Sequence, residues 1–109
     1  MEITLLGTGS PIPDARRGGP ATLIRAGGQT ILVDAGRAVV MRLAGAGTLP
    51  VLLNAVLITH LHSDHITDLN DLVTTRWILS PEATPTIIYG PLGTQKVVDG
   101  MMAMLTPDQ

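Results

Sequence analysis

All three histidines of the chain lie within six residues, directly after a short apolar run at positions 55–58. The run reads Ala-Val-Leu-Ile and predicts a buried strand. On an extended backbone His60 and His62 point to the same side, because side chains alternate along a strand. Asp64 and His65 follow where the chain turns into the next element. The four side chains are therefore expected to converge just past a strand end, where open α/β sheets place their sites.

These four side chains have the chemistry of a metal site. Imidazole nitrogen and carboxylate oxygen are usual ligands of zinc and related divalent metals. A lone histidine is more often a surface residue than a ligand, but three clustered with an aspartate after a buried strand favour ligation. A second interpretation of Asp64 stays open, because Ser63 or Asp64 is also a suitable N-cap for a helix beginning near Ile66. Capping and ligation are compatible.

The apolar content is high for a chain this short. The 109 residues are 45% hydrophobic, with a mean hydropathy of +0.35, and suffice for one small domain. One Trp, one Tyr and no Phe leave the core to aliphatic side chains and Met. Small domains bury a smaller fraction of their surface, so some apolar surface is expected to remain exposed. Another part of the protein, or a second copy, is expected to pack there.

Charge and cysteine content exclude several classes. The net charge of −2 makes no basic patch for nucleic acid, and the Arg16-Arg17 pair near the proposed site is interpreted as a solvated loop pair. The absence of cysteine from the sequence excludes disulfides and thiolate ligands. The N-terminus lacks a secretory pattern, and no apolar run approaches the ~18 residues of a membrane span. We expect a cytoplasmic protein that does not contact membranes.

Strands and helices alternate along the sequence, which predicts an α/β fold. A loop rich in Gly and Pro is expected at 7–20, and Gly27-Gly28 predicts a hairpin turn. A Met-rich apolar stripe in the last helix is expected to form core or interface. The predicted strands are 3–6, 21–25, 30–34, 55–58 and 86–89, and the predicted helices are 37–44, 66–79 and 93–105.

The spacing His-x-His-x-Asp-His resembles the metal-binding motif of the metallo-β-lactamase superfamily. Residues 1–11, Met-Glu-Ile-Thr-Leu-Leu-Gly-Thr-Gly-Ser-Pro, are similar to the first strand and glycine-rich loop of its ribonuclease Z branch. Residues 31–36, Ile-Leu-Val-Asp-Ala-Gly, resemble the earlier aspartate motif. The resemblance covers nearly the whole chain. It implies an α/β fold that is the N-terminal half of a metallo-β-lactamase-like αβ/βα sandwich.

The resemblance also implies roles for individual residues. His60 and His62 would bind one metal ion, and Asp64 and His65 a second, with zinc as the metal. Asp64 would also act as the general base on water. Asp34 would brace the metal-binding loop instead of binding metal. The loop that begins at Gly7 would lie beside the metals and contact substrate phosphate through backbone amides.

Further ligands of the family, two histidines and an aspartate, are expected downstream of this motif, but no histidine follows His65. Residues 1–109 are therefore expected to be a partial domain lacking its C-terminal half, inactive by itself. The implied activity is cleavage of the 3′ end of precursor tRNA. Because residues 67–71 replace a Gly-Leu-Pro-Gly-like segment, hydrolysis of sulfate esters, cyclic nucleotides or lactones stays open. A folded half that only associates is a third alternative. A homodimer is expected, with part of its contact formed by Val97, Val98, Met101, Met102 and Leu105.

Overall fold

The computed structural model of the chain describes residues 1–10, 12–80 and 85–108. Pro11, the last residue of the opening motif, lies outside the described residues. The first three strands pair antiparallel, whereas the third, fourth and fifth are parallel neighbours. This mixed sheet confirms the α/β class. Its strands, in spatial and chain order, are β1 (Glu2–Gly7), β2 (Ala21–Ala26), β3 (Gln29–Val33), β4 (Ala55–Leu57) and β5 (Ile88–Tyr89).

All three predicted helices start at a different residue from the one predicted, the last by one residue at Thr94, since Gly93 has a φ of 100°. The helix predicted over 66–79 is two helices that separate at Thr67 and Asp68, so its predicted start is wrong. The first helix begins after the predicted residue 37, because Ala38 has a φ of 68° and lies in the left-handed region. The helices are α1 (Val39–Gly45), α2 (Ser63–Ile66), α3 (Leu69–Leu79) and α4 (Thr94–Met104), with 3₁₀ turns at Pro50–Leu52 and Thr106–Asp108.

The core lies between one face of the sheet and the helices. Leu23, Leu32 and Val56 are adjacent in the strand register, and each is at most 1% exposed. From the helices, α1 and α3 contribute their buried leucines and valine to the same cluster. The predicted aliphatic core is therefore confirmed. Its members are Leu6, Ala21, Leu23, Leu32, Ala35, Val39, Leu43, Leu53, Val56, Ile58, Leu69 and Leu72.

The opposite face of the sheet is apolar and open. Ile3 pairs with Ile24, and Ile24 pairs with Ile31, so these side chains line up across three strands. At the sheet edges Leu5 is 67% exposed and Tyr89 is 60% exposed. Exposed apolar side chains therefore lie on this sheet face at Ile3, Leu5 and Tyr89, while Ile24 and Ile31 between them are half-buried. No helix within that part is long and apolar enough to cross a membrane.

Close backbone contacts hold the long loop against the end of β3. A Cβ atom added to Gly36 would lie 2.5 Å from the carbonyl carbon of Gly19, so neither loop accommodates a side chain there. Gly19 N–H donates to the Arg37 carbonyl at 2.9 Å, and Gly36 N–H donates to the Pro20 carbonyl at 3.0 Å. These contacts fix the loop beside the carboxyl ends of the parallel strands.

Candidate metal centre

Two parallel strands bring the predicted site residues to one edge of the sheet. Because β3 and β4 are parallel neighbours, their carboxyl ends meet at the same edge. Asp34 directly follows β3, and the histidine cluster follows β4. The Asp34 N–H also donates to the Leu57 carbonyl at 2.7 Å, which continues the pairing past β3. The expected position of these residues beyond a strand end is therefore confirmed.

The four predicted ligands lie in one cluster. The ring centroids of His60 and His62 are 4.7 Å apart, and those of His60 and His65 are 3.9 Å apart. An Asp64 carboxylate oxygen, Oδ2, lies 3.6 Å from His65 Nε2. The side chains of Asp64 and His65 are both about four-fifths buried, with 19% and 18% exposed. Their proximity is a finding, whereas metal binding by these residues stays a prediction.

The buried Asp34 carboxylate contacts both Thr59 and His65. It is 5% exposed, and its φ of 64° lies in the left-handed region, which Asp tolerates better than most residues. Its Oδ1 accepts the Thr59 N–H at 2.8 Å. Its Oδ2 accepts the Thr59 hydroxyl at 2.8 Å and lies 2.7 Å from His65 Nδ1. The carboxylate thus joins the end of β3 to both ends of the histidine segment, which is the bracing contact that the resemblance implies.

The donor set fits a metal ion chemically. Because an ionised carboxylate only accepts hydrogen bonds, His65 donates from Nδ1, and in the neutral imidazole Nε2 then has a free lone pair. Two ligands bound tetrahedrally at about 2.1 Å would lie about 3.4 Å apart. The 3.6 Å between His65 Nε2 and Asp64 Oδ2 is close to that separation. Among residues 1–10, 12–80 and 85–108, however, no three His, Asp or Glu side chains are arranged to hold one ion together.

The alternative capping role of Ser63 and Asp64 is wrong. The helix that follows the first two histidines, α2, starts at Ser63 itself, and its N-cap is His62, with no side-chain capping bond. Asp64 therefore lies inside the first turn. There it faces His65 rather than a backbone N–H at the helix start.

Asp68 ties the aspartate loop to the histidine segment. Sequence reasoning treated it as a solvated residue favoured by the helix dipole, but its carboxylate accepts the Ala38 N–H at 2.5 Å. The Asp68 N–H donates to the Ala35 carbonyl at 3.1 Å, and the Ala35 N–H donates to the His65 carbonyl at 2.8 Å. No local sequence signal identifies this role, because the partner is thirty residues away in the chain.

A small cleft beside Asp64 is lined by side chains of both charges. Ser10 and Asp14 of the glycine-rich loop line it, together with Arg17, Arg37, Asp64 and Thr67. The loop therefore lies beside the motif, as the resemblance implies. Arg16 and Arg17 are both exposed, as expected for a solvated loop pair, and Arg17 also lines the cleft. The guanidinium groups of Arg17 and Arg37 suit phosphate oxygens, while Asp14 and Asp64 supply carboxylates to the same cleft.

We expect Asp34→Asn in the full-length protein to weaken zinc binding about ten- to a hundred-fold while leaving the fold intact. Asn tolerates the same backbone conformation, but its amide group cannot replace a carboxylate that accepts from both Thr59 and His65. A zinc titration against a competing chelator measures the affinity, and circular dichroism monitors the fold. Wild-type affinity in Asp34→Asn would refute the bracing role.

Known proteins share both the sequence and the fold. Ribonuclease Z from Mycobacterium sp. (strain KMS) is 55% identical over 109 residues, which cover 99% of this chain and 38% of the relative. Human tRNase Z, short form, has a TM-score of 0.84 and 33% identity, over 95% of this chain and 39% of the solved chain. The metallo-β-lactamase fold protein YhfI from Bacillus subtilis gives a TM-score of 0.77 and 28% identity, over 90% and 39%.

These likenesses confirm a metallo-β-lactamase fold of the ribonuclease Z-like kind, represented here by its N-terminal half. The chain spans about two-fifths of the length of the relatives it matches. A family model for Anti-Pycsar protein Apyc1 matches residues 1–97. The chain therefore belongs to the Anti-Pycsar protein Apyc1 family.

Proposed function

We propose that residues 1–109 are a partial domain, the N-terminal part of a longer metal-dependent hydrolase that cleaves the 3′ end of precursor tRNA. The observation that carries this proposal is the histidine cluster braced by buried Asp34 at the sheet edge. Relatives named ribonuclease Z support the activity, and the match to human tRNase Z supports the substrate. Arg17 and Arg37, which line the cleft beside Asp64 together with Asp14, offer guanidinium groups that suit a phosphodiester. We place the enzyme in the cytoplasm.

The proposed metal is zinc, with two ions in the complete site. His60 and His62 would bind one ion, and Asp64 and His65 the other. Bound zinc would lower the pKa of a coordinated water and polarise a phosphoryl oxygen. Asp64 would accept the proton of the attacking water, and the Asp34 carboxylate would hold His65 in the orientation that ligation needs. Since a catalytic zinc usually has three protein ligands, further ligands would come from the rest of the enzyme.

A precursor tRNA with a 3′ trailer tests the proposal in the full-length enzyme loaded with zinc. We expect one cut between the tRNA body and the trailer, abolished in His62→Ala. The exposed Met41→Gln substitution, which is remote from the histidines in sequence and 75% exposed, serves as the matched control. Intact precursor, with turnover of a different ester by the same preparation, would overturn the tRNA substrate.

The alternative is another hydrolase of the same superfamily, acting on sulfate esters, cyclic nucleotides or lactones. Two observations favour it. The family to which the chain belongs is named for Anti-Pycsar protein Apyc1 and not for ribonuclease Z. Within residues 67–71, Thr67 and Asp68 form the break between α2 and α3, and Thr67 also lines the cleft. Parallel assays on these esters and on precursor tRNA distinguish the two proposals. If none of these substrates is turned over, the result would favour the third alternative, a folded half that self-associates and has no enzymatic activity.

We further propose that the 109-residue chain forms a homodimer. The sheet face is the proposed contact because Ile3 and Leu5 are exposed there, whereas Val97 and Met101 of the α4 stripe pack partly against the core. Light scattering at several concentrations is expected to show a mass that rises with concentration. Replacing Ile3 and Leu5 by threonine should suppress the rise while keeping β-propensity, and Met102→Gln should have a smaller effect. A constant monomer mass would contradict the proposal.

A further inference from the structure

Thr59 lies between the buried carboxylate and the first histidine of the cluster. Its hydroxyl oxygen is 2.8 Å from Asp34 Oδ2 and 3.0 Å from His60 Nδ1. Its backbone N–H separately donates to Asp34 Oδ1 at 2.8 Å. The residue therefore contacts Asp34 through two groups, and only the hydroxyl also reaches the imidazole.

The direction of these hydrogen bonds follows from the number of available protons. An ionised carboxylate can only accept, so the single hydroxyl proton of Thr59 goes to Asp34 Oδ2. The hydroxyl oxygen then has only lone pairs left for His60 Nδ1. His60 must therefore carry a proton on Nδ1 and donate it to Thr59. In neutral imidazole the other nitrogen, Nε2, is then an unprotonated acceptor.

We infer that Thr59 is a positioning residue that holds His60 in the Nδ1-protonated tautomer and leaves Nε2 free for a metal ion. Asp34 then sets two imidazoles at once: His65 by direct contact at 2.7 Å and His60 through the Thr59 hydroxyl. This inference rests on the proposed function in so far as His60 is a ligand. The relay itself consists of contacts within this chain and makes no assumption about the substrate.

A purely local role for Thr59 predicts a different outcome. If the residue only ends β4, its backbone N–H bond to Asp34 suffices and the hydroxyl is dispensable. Thr59 is exposed, so changes to its side chain leave the hydrophobic core untouched. The hydroxyl can therefore be removed or kept by substitutions of similar size.

The test compares Thr59→Val, which removes the hydroxyl at nearly constant shape, with Thr59→Ser, which keeps it. Both are made in the full-length protein. Nitrogen-15 NMR of the metal-free protein at about pH 8, where free imidazole is neutral, reports the His60 tautomer. Titration with zinc against a competing chelator reports the affinity. We expect Thr59→Val to lose the preference for the Nδ1-protonated form and to bind zinc about ten-fold more weakly or worse, with Thr59→Ser matching wild type.

Two results would overturn the inference. One is a Thr59→Val protein with the wild-type His60 tautomer and zinc affinity. The other is an equal loss in Thr59→Val and Thr59→Ser, which would show that keeping the hydroxyl does not preserve the tautomer and the zinc affinity. Neither the NMR measurement nor the zinc titration uses RNA. A failure of the proposed tRNA activity can therefore be distinguished from a failure of this inference.

Discussion

In the full-length enzyme, Asp64→Ala is expected to lower turnover by about 10²- to 10⁴-fold, the usual contribution of a positioned base. The same protein is expected to keep much of its metal, because three imidazoles remain. Asp64 lies 3.6 Å from His65 Nε2 and lines the cleft that holds Arg17 and Arg37. In the proposed role, Asp64 would contact both an ion and the water that attacks a phosphodiester.

Asp64→Asn is the matched control for this prediction. Asn keeps the size of the side chain and a carbonyl oxygen for an ion, but it cannot take a proton from water. Metal content and turnover are measured on the same preparations of wild type, Asp64→Ala and Asp64→Asn. Near-normal turnover in either variant would show that the base is another group.

The isolated 109-residue chain is expected to show no measurable hydrolysis and to bind zinc weakly. Four donors shared between two ions give about two protein ligands per ion, whereas catalytic zinc sites usually have three. Both partners of the His65–Asp34 hydrogen bond lie within residues 1–109. We therefore expect weak binding because ligands are too few, and not because His65 is poorly oriented. Equilibrium dialysis with zinc and an assay on bis-p-nitrophenyl phosphate measure the two quantities. Tight stoichiometric zinc with robust turnover would contradict the expectation.

The features that sequence predicted well depend on local patterns. Alternating apolar runs and Gly27-Gly28 predicted the β2–β3 hairpin, and both glycines do have positive φ, 56° and 78°. The position of the histidine cluster followed from one buried strand and the period of an extended backbone. Each of these patterns lies within a few residues of the turn or strand that it determines. The local sequence is therefore enough to predict that structure.

What sequence missed depends on contacts between distant segments. The break between α2 and α3 accompanies the Asp68 carboxylate turning away to accept the Ala38 N–H, thirty residues earlier. Arg76 on α3 donates to the carbonyls of Pro50 and Leu53 at 2.8 and 2.9 Å, which anchors the helix to a 3₁₀ turn. Helical periodicity continues through residues 66–79 and carries no information about either partner. The Thr59 relay was missed for the same reason, since it requires the Asp34 position to be known.

The central claim is that this histidine cluster forms part of a two-metal hydrolase site. Metal analysis of the purified full-length protein tests it most directly, with His60→Ala/His62→Ala as the variant and Met41→Gln as the control. We predict two zinc ions per chain in wild type and control, and about one in the double variant, where Asp64 and His65 still hold the second. Metal-free wild-type protein after growth and dialysis in zinc, or an unchanged metal content in the double variant, would contradict it.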